Sequence, residues 1–148
     1  MSIVQQIDQD IIKALKGHEK DKLTVLRGLK SDLKYKIIDK GDDLTEEEAL
    51  AVLNSAAKKR KDSIEQFEKG GRDDLVASEK FGLEIIMGYL PEQISEEELT
   101  AIIKEAIAET GADSAQKIGL IMKVVMPKVK GRADGKLINQ IAVKLLNS

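Results

Sequence analysis

The chain has 148 residues, 42% hydrophobic and 34% charged, with a net charge of −2 and no cysteine. Such a composition excludes disulfides, thiolate nucleophiles and thiolate metal sites, and no apolar run approaches the roughly 20 residues of a membrane span. No cationic stretch followed by an apolar one opens the sequence, so no secretory leader is expected and the reading is a soluble, cytoplasmic protein.

Apolar residues recur at helical spacing throughout, and no sustained period of two occurs, which predicts an all-α fold. Aromatic residues are only 3% of the chain, so the core must be aliphatic. The first helix carries Val4, Ile7, Ile11 and Leu15 on one face and stops near Gly17. The second runs from about Asp21 to Asp39 with Leu23, Leu26, Leu29, Leu33 and Ile37 as its stripe, and Gly41 follows as a stop signal. Thr45 and Glu48 form a capping box that opens the third helix, which continues to the Gly70-Gly71 break. The fourth spans about Asp73 to Leu90 and ends at Pro91, because proline disfavours α geometry in the residue before it. Ser95 and Glu98 form a second capping box, for a helix that closes at Gly111. Two short helices complete the chain, Ala115 to Met126 and Gly135 to Asn147, joined by residues Pro127 to Asp134. The expected architecture is an N-terminal four-helix part, residues 1–91, followed by a C-terminal three-helix bundle, residues 92–148.

The small net charge conceals a segregation. From Ala115 to Ser148 there are seven basic residues against one acid, Asp134, a net of +6, which leaves −8 for the rest. A basic end of this kind points to an anionic partner. Two glycines bracket Arg132-Ala133-Asp134, and Asp134 is placed to cap the last helix. The free N–H groups at that helix start, surrounded by Lys128, Lys130, Arg132 and Lys136, form a seat for phosphate.

Templates for catalysis are not met. His18 is the only histidine and stands in a polar turn, the acidic clusters Glu46–Glu48 and Glu96–Glu98 lie where helix dipoles and caps favour carboxylates, and no glycine-rich phosphate loop is present. Neither a cofactor nor a metal is called for. Lys58, Lys59 and Lys61 read as a solvated helix face, whereas Arg60 lies on the apolar stripe between Ala57 and Ile64. If the third and fourth helices fold back about Gly70-Gly71, Arg60 falls opposite Glu79 to Gly82. The expectation is an interior Arg60–Glu79 ion pair of structural role, with Glu84 as the less favoured partner.

Three motifs, in order, resemble the GatB/YqeY family. They are Leu26-Arg27-Gly28-Leu29-Lys30; Lys59 to Ile64 with Gly71-Arg72-Asp73-Asp74-Leu75, Glu79 and Tyr89-Leu90-Pro91; and Gly119, Met122-Lys123 and the run Met126 to Lys136. Length and motif order are similar to the stand-alone members. In that family the same module forms the tail of one component of the aspartyl/glutamyl-tRNA amidotransferase, a tail that grips the tRNA elbow while the active site lies in another domain. The resemblance therefore implies a tRNA-binding accessory protein, with Lys123, Lys128, Lys130, Gly131, Arg132 and Lys136 as the tRNA-binding candidates. Carbon–nitrogen ligase activity with glutamine as amido-N-donor is implied by association only, and whether the chain is an enzyme is left open, leaning against. The rival expectation is a module that docks on the amidotransferase or an aminoacyl-tRNA synthetase through exposed apolar residues such as Met122 and Met126. With almost no aromatics near the basic end, stacking on unpaired bases is not expected, and binding should be led by the phosphate backbone.

Overall fold

A computed structural model describes residues 1–147. Among the described residues the chain forms seven α-helices and one short 3₁₀ turn, with no strand, and no helix is long and apolar enough to cross a membrane. Contacts gather into two compact units, one of Met1–Leu90 and one from Pro91 onward.

In the first unit the helices are α1 (Ile3–Lys16), α2 (Lys20–Lys40), α3 (Glu46–Lys69) and α4 (Asp73–Met87). The starts of α1 and α3 are fixed by side chains that satisfy orphan N–H groups of the first turn. Thr45 Oγ1 accepts from Glu48 N–H at 3.1 Å, while the Glu48 carboxylate accepts from Thr45 N–H at 2.9 Å. Ser2 and Gln5 make the same reciprocal arrangement at α1. The stop of α2 is Gly41, which takes φ 79° and returns its N–H to Ile37 O, a left-handed conformation that costs glycine nothing. The aliphatic stripes meet in a core of Ile7, Leu29, Leu33, Leu53, Ala57 and Ile86, with Leu90 at its edge. Burying each of the larger side chains contributes about 1.5–3 kcal/mol.

Helix α4 is shorter than its expected end at Leu90. It stops at Met87, and residues 88–90 form a turn in which Tyr89 N–H and Leu90 N–H return to Ile86 O and Met87 O. Proline constrains the residues before it, and the apolar Leu90 tucks into the core (9% exposed) without continuing the helix.

The second unit comprises α5 (Glu96–Thr110), the 3₁₀ turn Ala115–Lys117, α6 (Ile118–Val129) and α7 (Gly135–Leu146). Leu99, Ile103, Ile121, Val125, Val129 and Ile138 are fully buried and form its core. At α5 Ser95 Oγ accepts from Glu98 N–H at 3.2 Å, which is half of the expected box. The expected break at Pro127 does not occur, because α6 runs through it to Val129. Proline there lacks the N–H that would reach Lys123 O, yet the helix resumes because Val129 is locked in the core and Lys130 N–H closes on Met126 O at 3.0 Å.

Candidate nucleic-acid interface

The charge of the second unit is polarised by helix. Residues 91–114, which hold α5, carry seven acids and one lysine, whereas residues 115–148 carry the seven bases and Asp134. The unit is therefore neutral in sum, with an acidic helix on one side of its sequence and a basic helix–turn–helix on the other. Two ion pairs join the halves: Lys128 Nζ stands 3.7 Å from Glu109 Oε2, and Lys117 Nζ 3.0 Å from Asp113 Oδ1. Lys117 holds the Asp113 carboxyl below its ordinary range by hydrogen bonding and charge.

These pairs sort the candidate residues. Lys123, Lys130 and Lys136 are exposed and make no ion pair among the described residues. Lys128 is exposed but shares its charge with Glu109. Arg132 is half-buried, and its Nε donates to the carbonyl oxygen of Glu92 at 3.0 Å. Gly131 takes φ 79°, and its carbonyl accepts from Gln93 Nε2 at 3.4 Å. Lys130, at the C-terminal cap of α6, is left-handed with φ 40°, uncommon for a residue with a side chain.

The start of α7 is capped from within. Asp134 Oδ1 accepts from Lys136 N–H at 3.3 Å. One of the N–H groups assigned to a phosphate thus has a carboxylate in front of it, which adds negative charge where an anion would sit. The lysine side chains around the turn, more than the helix start, are what this surface offers to phosphate. On α6, Met122 packs against the core, while Leu120 and Met126 are 47% and 40% exposed beside Lys123. Sequence pattern alone assigned Met122 to the surface; the helix phase set by Ile121, Val125 and Val129 turns it inward and Leu120 outward.

In the first unit Arg60 Nη1 stands 3.2 Å from Glu79 Oε2, with the two side chains 27% and 26% exposed. The guanidinium lies directly over Gly82, so that a Cβ there would be 2.8 Å from Nε and closer still to Cζ and Nη1. The lack of a side chain at Gly82 is what admits Arg60 across α4, a requirement invisible in the spacing alone. Lys59 and Lys61 are exposed and Lys58 is half-buried. His18 is exposed in the turn between α1 and α2 with φ 57°. Tyr89 O–H donates to Asp10 Oδ2. Burial, then the hydrogen bond and charge of Asp10, push the Tyr89 phenol well above its ordinary range.

Fold and surface together define an all-helical protein whose second unit gathers seven of its eight basic residues in residues 115–148. The family model described as Yqey-like protein matches residues 4–146, and the chain belongs to that family. It is similar to proteins named "Altered inheritance of mitochondria protein 41, mitochondrial". The one from Lachancea thermotolerans is 37% identical over 109 residues, covering 72% of this chain and 58% of its own length. Those from Pyrenophora tritici-repentis and Saccharomyces cerevisiae are 28% and 29% identical over 136 residues, covering 88% and 90% of this chain and 73% and 71% of their own lengths. The chain thus spans little more than half of the first of these relatives. Their names place these relatives in mitochondria, and the cytoplasmic expectation is overturned. It rested on the lack of cysteine and of a secretory pattern, and neither property separates one reducing compartment from another.

Proposed function

We propose that the protein is a tRNA-binding accessory factor, related to the glutamine-dependent tRNA amidotransferase through its C-terminal part and without a catalytic site of its own. In this reading residues 1–91 are a four-helix domain and residues 92–148 a tail-type three-helix domain that meets the tRNA elbow. The observation that carries it is the polarised charge of the second unit, with Lys123, Lys130 and Lys136 exposed and free of acidic partners among the described residues. Lysines of this kind recognise phosphates as point charges, contacts that position a nucleic acid and carry no sequence information.

The test is fluorescence anisotropy of labelled tRNA with the whole chain. Lys136→Glu should weaken binding by at least tenfold near 0.1 M salt, since it removes one phosphate contact and adds a repulsion. Unchanged affinity in Lys136→Glu and in Lys130→Glu would remove the proposed surface. A second reading, docking on the amidotransferase or a synthetase, draws on the exposure of Leu120 and Met126 beside Lys123. It requires binding that varies little with salt and is lost in Leu120→Ser, Met126→Ser.

A further inference from the structure

The turn that carries Lys130 is held in a conformation its own sequence does not favour. Lys130 and Gly131 are consecutive residues at positive φ, 40° and 79°, a region that disfavours any residue with a side chain. Something else must over-determine the turn, and three hydrogen bonds from one short segment do so. Arg132 Nε donates to Glu92 O at 3.0 Å, Ile94 N–H donates to Arg132 O at 2.8 Å, and Gln93 Nε2 donates to Gly131 O at 3.4 Å. Gln93 Nε2 also donates to Pro91 O at 2.9 Å, which fixes its own side chain. Both parties are anchored in the same core, the segment through Ile94 and the turn through Val129 and Ala133.

We infer that residues 92–94 act as a strap that sets the basic turn, and that Arg132 is a positioning residue which aims Lys130 and Lys136 and does not itself bind phosphate. The inference rests on the tRNA reading above. Arg132 spends its Nε and its main-chain carbonyl on the strap. Lys130 and Lys136 lie on either side of the held segment, one ending α6 and the other in the first turn of α7. Their separation and relative direction are therefore set by the turn. The strap is also the stretch that immediately follows Leu90, the last residue of the first unit.

The experiment compares Arg132→Lys, Arg132→Ala, Gln93→Ala and Lys130→Glu in the whole chain, by tRNA affinity across a salt series and by amide exchange at Ile94. Arg132→Lys keeps the charge but not the planar fork that reaches a carbonyl in this geometry. The strap requires Arg132→Lys to bind as poorly as Arg132→Ala, about tenfold weaker near 0.1 M salt. It also requires the uncharged change Gln93→Ala to flatten the slope of log K against log salt by about one phosphate, with faster exchange at Ile94 in all three. Simple loss of stability would lower the folded fraction and leave that slope alone. If Arg132→Lys binds like the parent while Arg132→Ala loses one unit of slope, Arg132 is a phosphate ligand and the inference fails. Should Lys130→Glu, together with Lys136→Glu, leave tRNA binding unchanged, the parent reading fails instead, and the strap then stands or falls on whether Ile94 exchange accelerates in Arg132→Lys.

Discussion

Replacing Gly82 by alanine tests the packing of Arg60 and has a sign that depends on its neighbour. The added Cβ would meet the guanidinium, 2.8 Å from Nε and nearer to Nη1 and Cζ, so Arg60 must swing away and its 3.2 Å contact with Glu79 is lost. With both side chains about three-quarters covered, the pair lies between an exposed bridge, worth about 0–1 kcal/mol, and a buried one, whose disruption costs about 3–5 kcal/mol. A loss of about 1.5 kcal/mol is the reasoned middle. Against it stands the gain of about 0.8–1 kcal/mol from replacing glycine by alanine inside a helix. Gly82→Ala should therefore destabilise the first unit by about 0.5–0.7 kcal/mol, the difference between these two terms. In an Arg60→Ala background nothing occupies that space, and the same change should stabilise by about 0.8–1 kcal/mol. Tyr35 and Tyr89 both belong to the first unit, so urea unfolding followed by tyrosine fluorescence reports on it alone. The four proteins of the cycle should show a coupling near 1.5 kcal/mol; additivity within about 0.5 kcal/mol would refute the reasoning.

Two further expectations concern pH. Glu48 is held at about 2 by its hydrogen bond to Lys40 and by the N–H of Thr45. A carboxylate lowered on folding contributes stability that is present above its ordinary value of 4.5 and is lost as pH falls toward 2. Glu48→Gln should flatten the acid limb of the stability–pH curve between those values, and an unaltered limb would contradict the cap's role. Tyr89 titrates in the opposite sense. Its raised phenol contributes stability that is complete below its ordinary value of 10.0 and declines as pH rises above it. The slope is at most about 1.4 kcal/mol per pH unit, the value for one proton, and solvent screening at this partly exposed site shortens the pH interval over which it acts. Tyr89→Phe should abolish that alkaline decline in a denaturation series; a decline of the same steepness in the variant would place its origin elsewhere.

The helices were legible because each carries an aliphatic stripe of helical period and a cap or glycine at its end, as at Thr45, Gly41 and Gly111. Pro127 misleads because its local cost is overridden by the burial of Val129 two residues later. The Arg60–Glu79 contact follows from hairpin arithmetic about Gly70-Gly71, but the seat at Gly82 does not, since it depends on which way the guanidinium crosses α4. At the basic end, composition picks out the lysines. It does not reveal that Arg132 is engaged by Glu92, 40 residues earlier in the chain, or that Lys128 shares its charge with Glu109 on another helix. Main-chain partners leave no trace in residue type, and ion pairs between helices appear only once the register is set.

The central claim is that the basic surface of α6, the turn and α7 holds tRNA by its phosphates. The most direct measurement is the affinity of the whole protein for total tRNA from about 0.05 to 0.3 M salt, beside the triple variant Lys123→Glu, Lys130→Glu, Lys136→Glu. With three to four phosphates engaged, log K should fall against log salt with a slope of about −2 to −4, and the variant should lose most of that dependence together with the binding. Binding that is flat in salt, or equal in the two proteins, would contradict the claim.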